Sequence, residues 1–174
     1  MTKLLVVLAL LVPSVAAADW SISPPKGWKR VTAAAEKAQV ATARKNTGEQ
    51  VKVEIRQWQG TLGDVERQFT GMLMVMPAGV NDESVQALAD GMATATAEGL
   101  AKHGFDVTPT PTPTVKRQGT SGRILVGRDL RVHVQTRVAR SAKGEVHLLL
   151  VQCGEPTAQS TCKQAMSTIK LSVK

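Results

Sequence analysis

Alternation of apolar and polar residues is sharpest from Leu130 to Arg140. Leu130, Val132, Val134 and Val138 fall on one side, and Arg131, His133, Gln135 and Arg137 on the other. Period two marks a strand with one face on a core. Ser141-Ala142-Lys143-Gly144 then turns the chain, and Val146 to Gln152 is apolar on both sides. A strand of that kind belongs at a sheet centre. The pattern sets Val138 against Val146 and Val134 against Leu150, since a one-residue slip would bring valines against His147. Gln50 to Trp58 alternates too, with Val51, Val53 and Ile55 inward and Lys52, Glu54, Arg56 and Trp58 outward. Gly122 to Arg128 is a further strand, with Ile124 and Val126 inward. Residues 39–45 read as a weaker strand, joined to 50–58 in a first hairpin across Asn46-Thr47-Gly48-Glu49.

Helical spacing appears in three places. Leu62, Val65, Phe69, Met72, Leu73 and Met76 predict a helix from about Gly60, capped by Thr61 with Asp64 in its first turn. Met72 and Met76 on that stripe read as core filler rather than as soft-metal ligands. Val85, Leu88, Ala89, Met92, Ala93, Thr96 and Leu100 predict a second helix, opened by Asn81-Asp82-Glu83-Ser84 and closed by Lys102-His103-Gly104. Gly91 and Gly99 either weaken it or admit a close neighbour. Cys162, Ala165, Met166 and Ile169 predict a last helix running to Leu171. The alanine-rich residues 31–38 favour only a helical turn. Trp20 to Ser23 is a short opening strand, and Pro24-Pro25-Lys26-Gly27-Trp28 a turn that sets at least one indole on the sheet. The Thr-Pro repeat at 108–114 lacks alternate backbone donors and reads as a sheet edge.

The first residues change the picture. A basic start at Lys3, an apolar run from Leu4 to Val12 and the small residues Ala16 and Ala18 form a secretory signal peptide, with the cut expected after Ala18. The expectation is thus a signal peptide over 1–18, one globular domain over 19–174, and a secreted or periplasmic location. The apolar run is short of the ~20 residues of a membrane span, and no later stretch is apolar enough to be one. Loss of Lys3 with the signal lowers the formal charge from +8 to +7. Two cysteines in an exported chain read as one disulfide, Cys153–Cys162, worth about 2–3 kcal/mol for so short a loop. Three Trp, two Phe and no Tyr give no base-stacking platform, so a nucleic acid is not the expected partner.

No hydrolase, P-loop or dinucleotide motif is present. His103, His133 and His147 stand in no metal spacing, and neither a metal nor a cofactor is expected. Carboxylates thin out after Glu98, leaving Asp106, Asp129, Glu145 and Glu155, too few for a paired-acid hydrolase. The distinctive feature is charge. Lys116, Arg117, Arg123, Arg128, Arg131, Arg137, Arg140 and Lys143 face one acid, Asp129, over residues 116–143. Lys52, Arg56, Arg131 and Arg137 lie opposite the apolar faces of their strands. If those strands are neighbours, the four cations form an anion-attracting patch; otherwise they are a solvated sheet face.

Pro25-Lys26-Gly27-Trp28 after a short strand, hairpins with helices between them, and Cys153 followed by Ser167-Thr168-Ile169-Lys170-Leu171 resemble the PsbP-like (Mog/PsbP) group of exported domains. The resemblance spans residues 20–171. It implies an α+β fold, a central antiparallel sheet with helices packed on both faces (an α/β/α sandwich), and a non-catalytic role in binding or assembling partners. The expected function is therefore a non-enzymatic exported accessory protein that engages an anionic envelope partner or protein. The alternatives are a small basic hydrolase using His133 or His147, and a membrane-surface protein.

Overall fold

The computed structural model describes residues 18–174 other than 49, 63–64, 103–106, 109–118, 128–129, 157, 159 and 174, and only the backbone at 61–62, 65–67, 107–108 and 119–127. In chain order the elements are β1 (Ala18–Ser21), β2 (Lys29–Arg30), α1 (Ala33–Thr47), β3 (Lys52–Leu62), β4 (Val65–Met76), α2 (Asp82–Lys102), β5 (Val107–Thr108), β6 (Gly119–Gly127), β7 (Leu130–Arg140), β8 (Val146–Pro156), α3 (Thr161–Ser167) and β9 (Lys170–Val173). Five long strands form an antiparallel sheet in the order β3-β4-β8-β7-β6, extended by the two-residue strands β2 and β5 at its edges. Strands β1 and β9 pair separately as an antiparallel ribbon. The fold is α+β.

The centre of the sheet is β8. Its residues Val146–Val151 are all buried, and β4 and β7 flank it. Alternation divides the core in two. On one face, Phe69, Leu73, Leu149, Val151 and Cys153 pack with Trp20, Cys162, Ala165, Met166 and Ile169, so the β1–β9 ribbon and α3 cover it. On the other, Val53, Ile55, Met74, Met76, Val138, Val146 and Leu148 pack with Val85 and Ala89 of α2 and with Val40 and Ala43 of α1. Leu130, Val132, Val134 and Leu150 continue that face beneath Ala97 and Leu100. Helices therefore lie on both faces, as the resemblance implied.

Two expected elements take a different form. Residues 39–45 are not a strand: they continue α1, which runs from a Thr32 cap, with Thr32 Oγ1 3.3 Å from Ala35 N, to Gly48 at φ 87°. Six alanines between 33 and 43 outweigh the weak alternation. Nor are residues 60–76 a helix. Val65–Met76 is strand β4, and the first hairpin is β3–β4, closed by Leu62 opposite Val65. A strand buried on both faces carries apolar residues at helical and alternating spacings alike, so periodicity does not separate the two. Phe69, Leu73 and Val75 face the ribbon, while Met74 and Met76 fill the core on the helical side.

The chain also closes differently. The last helix stops at Ser167, and Lys170–Val173 returns as a strand beside Ala18–Ser21. The β7–β8 register is displaced by two residues from the expected one. Val138 faces Leu148 and Arg140 faces Val146. A two-residue shift keeps each face intact and lengthens the ladder, while Ser141 N to Glu145 O (3.0 Å) and Gly144 N to Ser141 O (2.9 Å) close the tighter turn. The expected α2 forms as read, with Ser84 N donating to Asn81 Oδ1 at 2.8 Å. The Thr-Pro repeat beyond Thr108, His103, and the side chains of Ile124 and Val126 lie outside the described residues.

Both indoles pack on the sheet, each over a glycine. A Cβ on Gly71 would stand 2.7 Å from the Trp20 ring, and one on Gly60 2.5 Å from that of Trp28. Glycine at these two positions lets tryptophan approach the backbone. Around Gly91 and Gly99 there is open space, so on α2 glycine only weakens the helix. Gly71→Val should therefore lose about 1–3 kcal/mol in urea unfolding by overpacking, with a changed tryptophan emission, whereas Gly99→Ala should gain about 0.5–1 kcal/mol.

Candidate functional site

The four cations singled out by alternation all project from the ribbon face, but they do not meet. Lys52 and Arg56 are on β3, Arg131 and Arg137 on β7, and β4 and β8 run between them. Three strand spacings put about 14 Å of sheet between the pairs, and the ribbon and α3 stand on that sheet. Arg56 is engaged locally. Its guanidinium lies 4.1 Å from the Trp20 ring centroid, Nη1 donates to Trp20 O at 3.0 Å, and Nη2 pairs with Glu54 at 2.8 Å. It holds β1 on the sheet by cation–π contact and hydrogen bonding. Lys52 is exposed.

Arg131 and Arg137 are half-buried. Arg137 Nε is shielded from solvent and has no hydrogen-bond partner among the described residues. A buried cationic donor without an acceptor is uncommon in folded proteins, and a guanidinium of this kind matches carboxylate or phosphate oxygens. This leaves Arg131 and Arg137, on one face of β7 but six residues and about 20 Å apart, as two separate candidate anion contacts.

Between those two arginines lies a constellation that composition did not suggest. His133 Nε2 stands 2.7 Å from Glu155 Oε1. The other carboxylate oxygen, Oε2, accepts from Cys162 N at 2.7 Å. Glu155 is fully buried. Seven-residue α3 has no side-chain cap from Ser160, and Glu155 supplies the missing acceptor. The disulfide joins Cys153 to Cys162 in the same cluster, pinning a strand of the sheet to the helix above it. Sequence did hold a signal for Glu155. It follows Cys153 by two residues on one strand, so alternation turns it inward with the cysteine. With each oxygen already engaged and the carboxyl sealed from water, the pair acts as a clasp, not as an open acid–base site.

His147 sits eight residues along β8 from Glu155. It is fully buried, and neither ring nitrogen has a hydrogen-bond partner among the described residues; Glu145 Oε2 is 3.9 Å from Nε2. Burial holds its pKa below the ordinary 6.5, against the opposing pull of Glu145. In the observed register His133 faces Cys153, and His147 faces Ala139, so the two rings are well apart along the hairpin.

No family model matches the chain, and no curated protein matches it. Among solved structures it is similar to LpqN of Mycobacterium tuberculosis, described as involved in cell envelope biogenesis. The TM-score is 0.49 and the identity 13%, over 94% of this chain and 87% of that one. At that score the likeness carries no functional argument. The Cys153–Cys162 disulfide fits an extracytoplasmic location, and among the described residues no helix is long and apolar enough to cross a membrane.

Two outcomes follow from the clasp and the buried histidine. Glu155→Leu strips an acceptor from Cys162 N and a partner from His133. It should lose about 2–6 kcal/mol in urea unfolding, at roughly 1–3 kcal/mol per abandoned buried group, and dithiothreitol should reduce the disulfide faster. For His147, the unfolded chain takes up a proton below about pH 6.5 while the folded ring resists it. Stability is therefore fully present above that pH and is lost as pH falls towards the lowered folded value. His147→Leu should flatten this dependence when urea midpoints at pH 7.5 and 5.0 are compared.

Proposed function

We propose that this protein is a non-enzymatic exported binding or accessory module, PsbP-like in kind, which engages an anionic envelope partner through Arg131 and Arg137. The observation that carries the reading is the buried Arg137 Nε without an acceptor. Its formal charge supports the same chemistry, since a basic surface steers anions over about a Debye length. The amino-terminal pattern supports export: cleavage after Ala18 leaves Asp19, Trp20 and Ser21 as the strand that pairs with β9. The non-catalytic part rests on the sealed state of the His133–Glu155 pair, the nearest approach to an acid–base couple among the described residues.

Capture from the native envelope tests this. The mature chain should retain a partner that elutes as salt is raised, and the Arg131→Glu/Arg137→Glu variant should retain at least tenfold less of it while unfolding at the same urea midpoint. Capture indifferent to both salt and charge reversal would overturn the reading.

A further inference from the structure

The outer edge of β3 is only partly used. Strand β2 pairs two of its residues, Lys29 with Gln59 and Arg30 with Trp58, and Val31 N adds one bond to Gln57 O at 2.9 Å. Gln57 N, pointing the same way, donates to Glu36 Oε1 at 3.0 Å. Backbone groups on a strand alternate in direction, so Gln57, Ile55, Val53 and Val51 all face outward. The Val51 N–H is taken by Gly48 O at 3.3 Å. That leaves the N–H and C=O of Val53 and Ile55, which meet no strand and no side chain among the described residues.

These groups are unpaired but screened from bulk solvent, Val53 and Ile55 being 7% and 4% exposed. Val53, Glu54 and Ile55 form one wall of a groove of about 460 Å³, and Lys37, Val40, Ala41 and Arg44 of α1 line the other. The Arg30–Glu36 pair at 2.9 Å closes one end, where the carboxylate also caps the strand. Lys52–Arg56 is about 17 Å long at ~3.4 Å per residue, room for an extended segment of about five residues. The charges in the groove are not balanced. Glu36 is held by Arg30 and Glu54 by Arg56, whereas Lys37 and Arg44 are exposed with no carboxylate paired to them among the described residues.

We propose that the α1–β3 groove is a strand-addition site, which receives an extended acidic segment of a partner protein as an antiparallel neighbour of β3. The backbone of Val53 and Ile55 supplies the ladder bonds, Val40 and Ala41 accept small apolar side chains at alternate positions, and Lys37 and Arg44 select carboxylates. This rests on the reading of the chain as a binding protein, but on a different surface from Arg131 and Arg137.

The test uses the mature chain and a fluorescein-labelled Asp-Val-Asp-Val-Asp-Val-Asp peptide, followed by fluorescence anisotropy and amide hydrogen exchange. Binding should saturate, weaken with salt, and fall at least tenfold in Lys37→Glu/Arg44→Glu. The Val53 and Ile55 amides should slow in exchange, while Gln57, already held by Glu36, should not. Arg131→Glu/Arg137→Glu should bind the peptide as the wild type does, so loss of this site and loss of the envelope partner are separate results. Absence of binding, binding without protection of Val53 and Ile55, or equal binding of a Lys-Val peptide would overturn the proposal. So would concentration-dependent protection of those amides without peptide, which would make a second copy the occupant.

Discussion

Everything in this fold leans on the burial of β8 from both sides. Its six residues Val146–Val151 exclude water on either face, and each buried branched side chain is worth about 1.5–3 kcal/mol. A strand so apolar cannot sit at an edge, so β4 and β7 must flank it, and both faces need a cover. The helices α1 and α2 cover one face and the ribbon with α3 the other. The cover on the second face is thin: a four-residue strand pair and a seven-residue helix. That thinness explains the reinforcement found there, where the disulfide, the Glu155 contacts and the Trp20–Arg56 stack all join cover to sheet.

Such fastening has a functional consequence. The residues that chemistry would most readily recruit, His133 and Glu155, are used to hold α3 on the sheet. Two other groups stay unanswered among the described residues. Arg137 keeps an unanswered donor on the ribbon face, and the far edge of the sheet keeps unanswered backbone at Val53 and Ile55. They lie on opposite sides of the strongest part of the core.

Much of the architecture was legible in the sequence. β7 follows from alternation, the central placement of β8 from its apolar residues on both sides, and α2 from its apolar stripe and Asn81 cap. The disulfide followed from cysteine count and the expectation of export. The failures share one physical cause. β4 and α1 carry patterns that fit both periodicities. Burial on both faces removes alternation from β4, and a lightly seated, alanine-rich helix removes the stripe from α1. Propensity decided the second against pattern, and pairing with β3 decided the first. The two-residue displacement of β7 on β8 was equally hidden, because a shift of two preserves every inward and outward assignment.

By itself the sequence determined the α+β class, the strand at the centre, the cysteine staple and a basic character, since these depend on local periodicity, composition and cysteine count. Only the tertiary structure decided which groups meet. Strand order is a long-range choice, and it separated Lys52 and Arg56 from Arg131 and Arg137 by placing β4 and β8 between them. The same order brought Glu155 to His133 and the amino end of α3, and left β3 short of a partner on its outer edge.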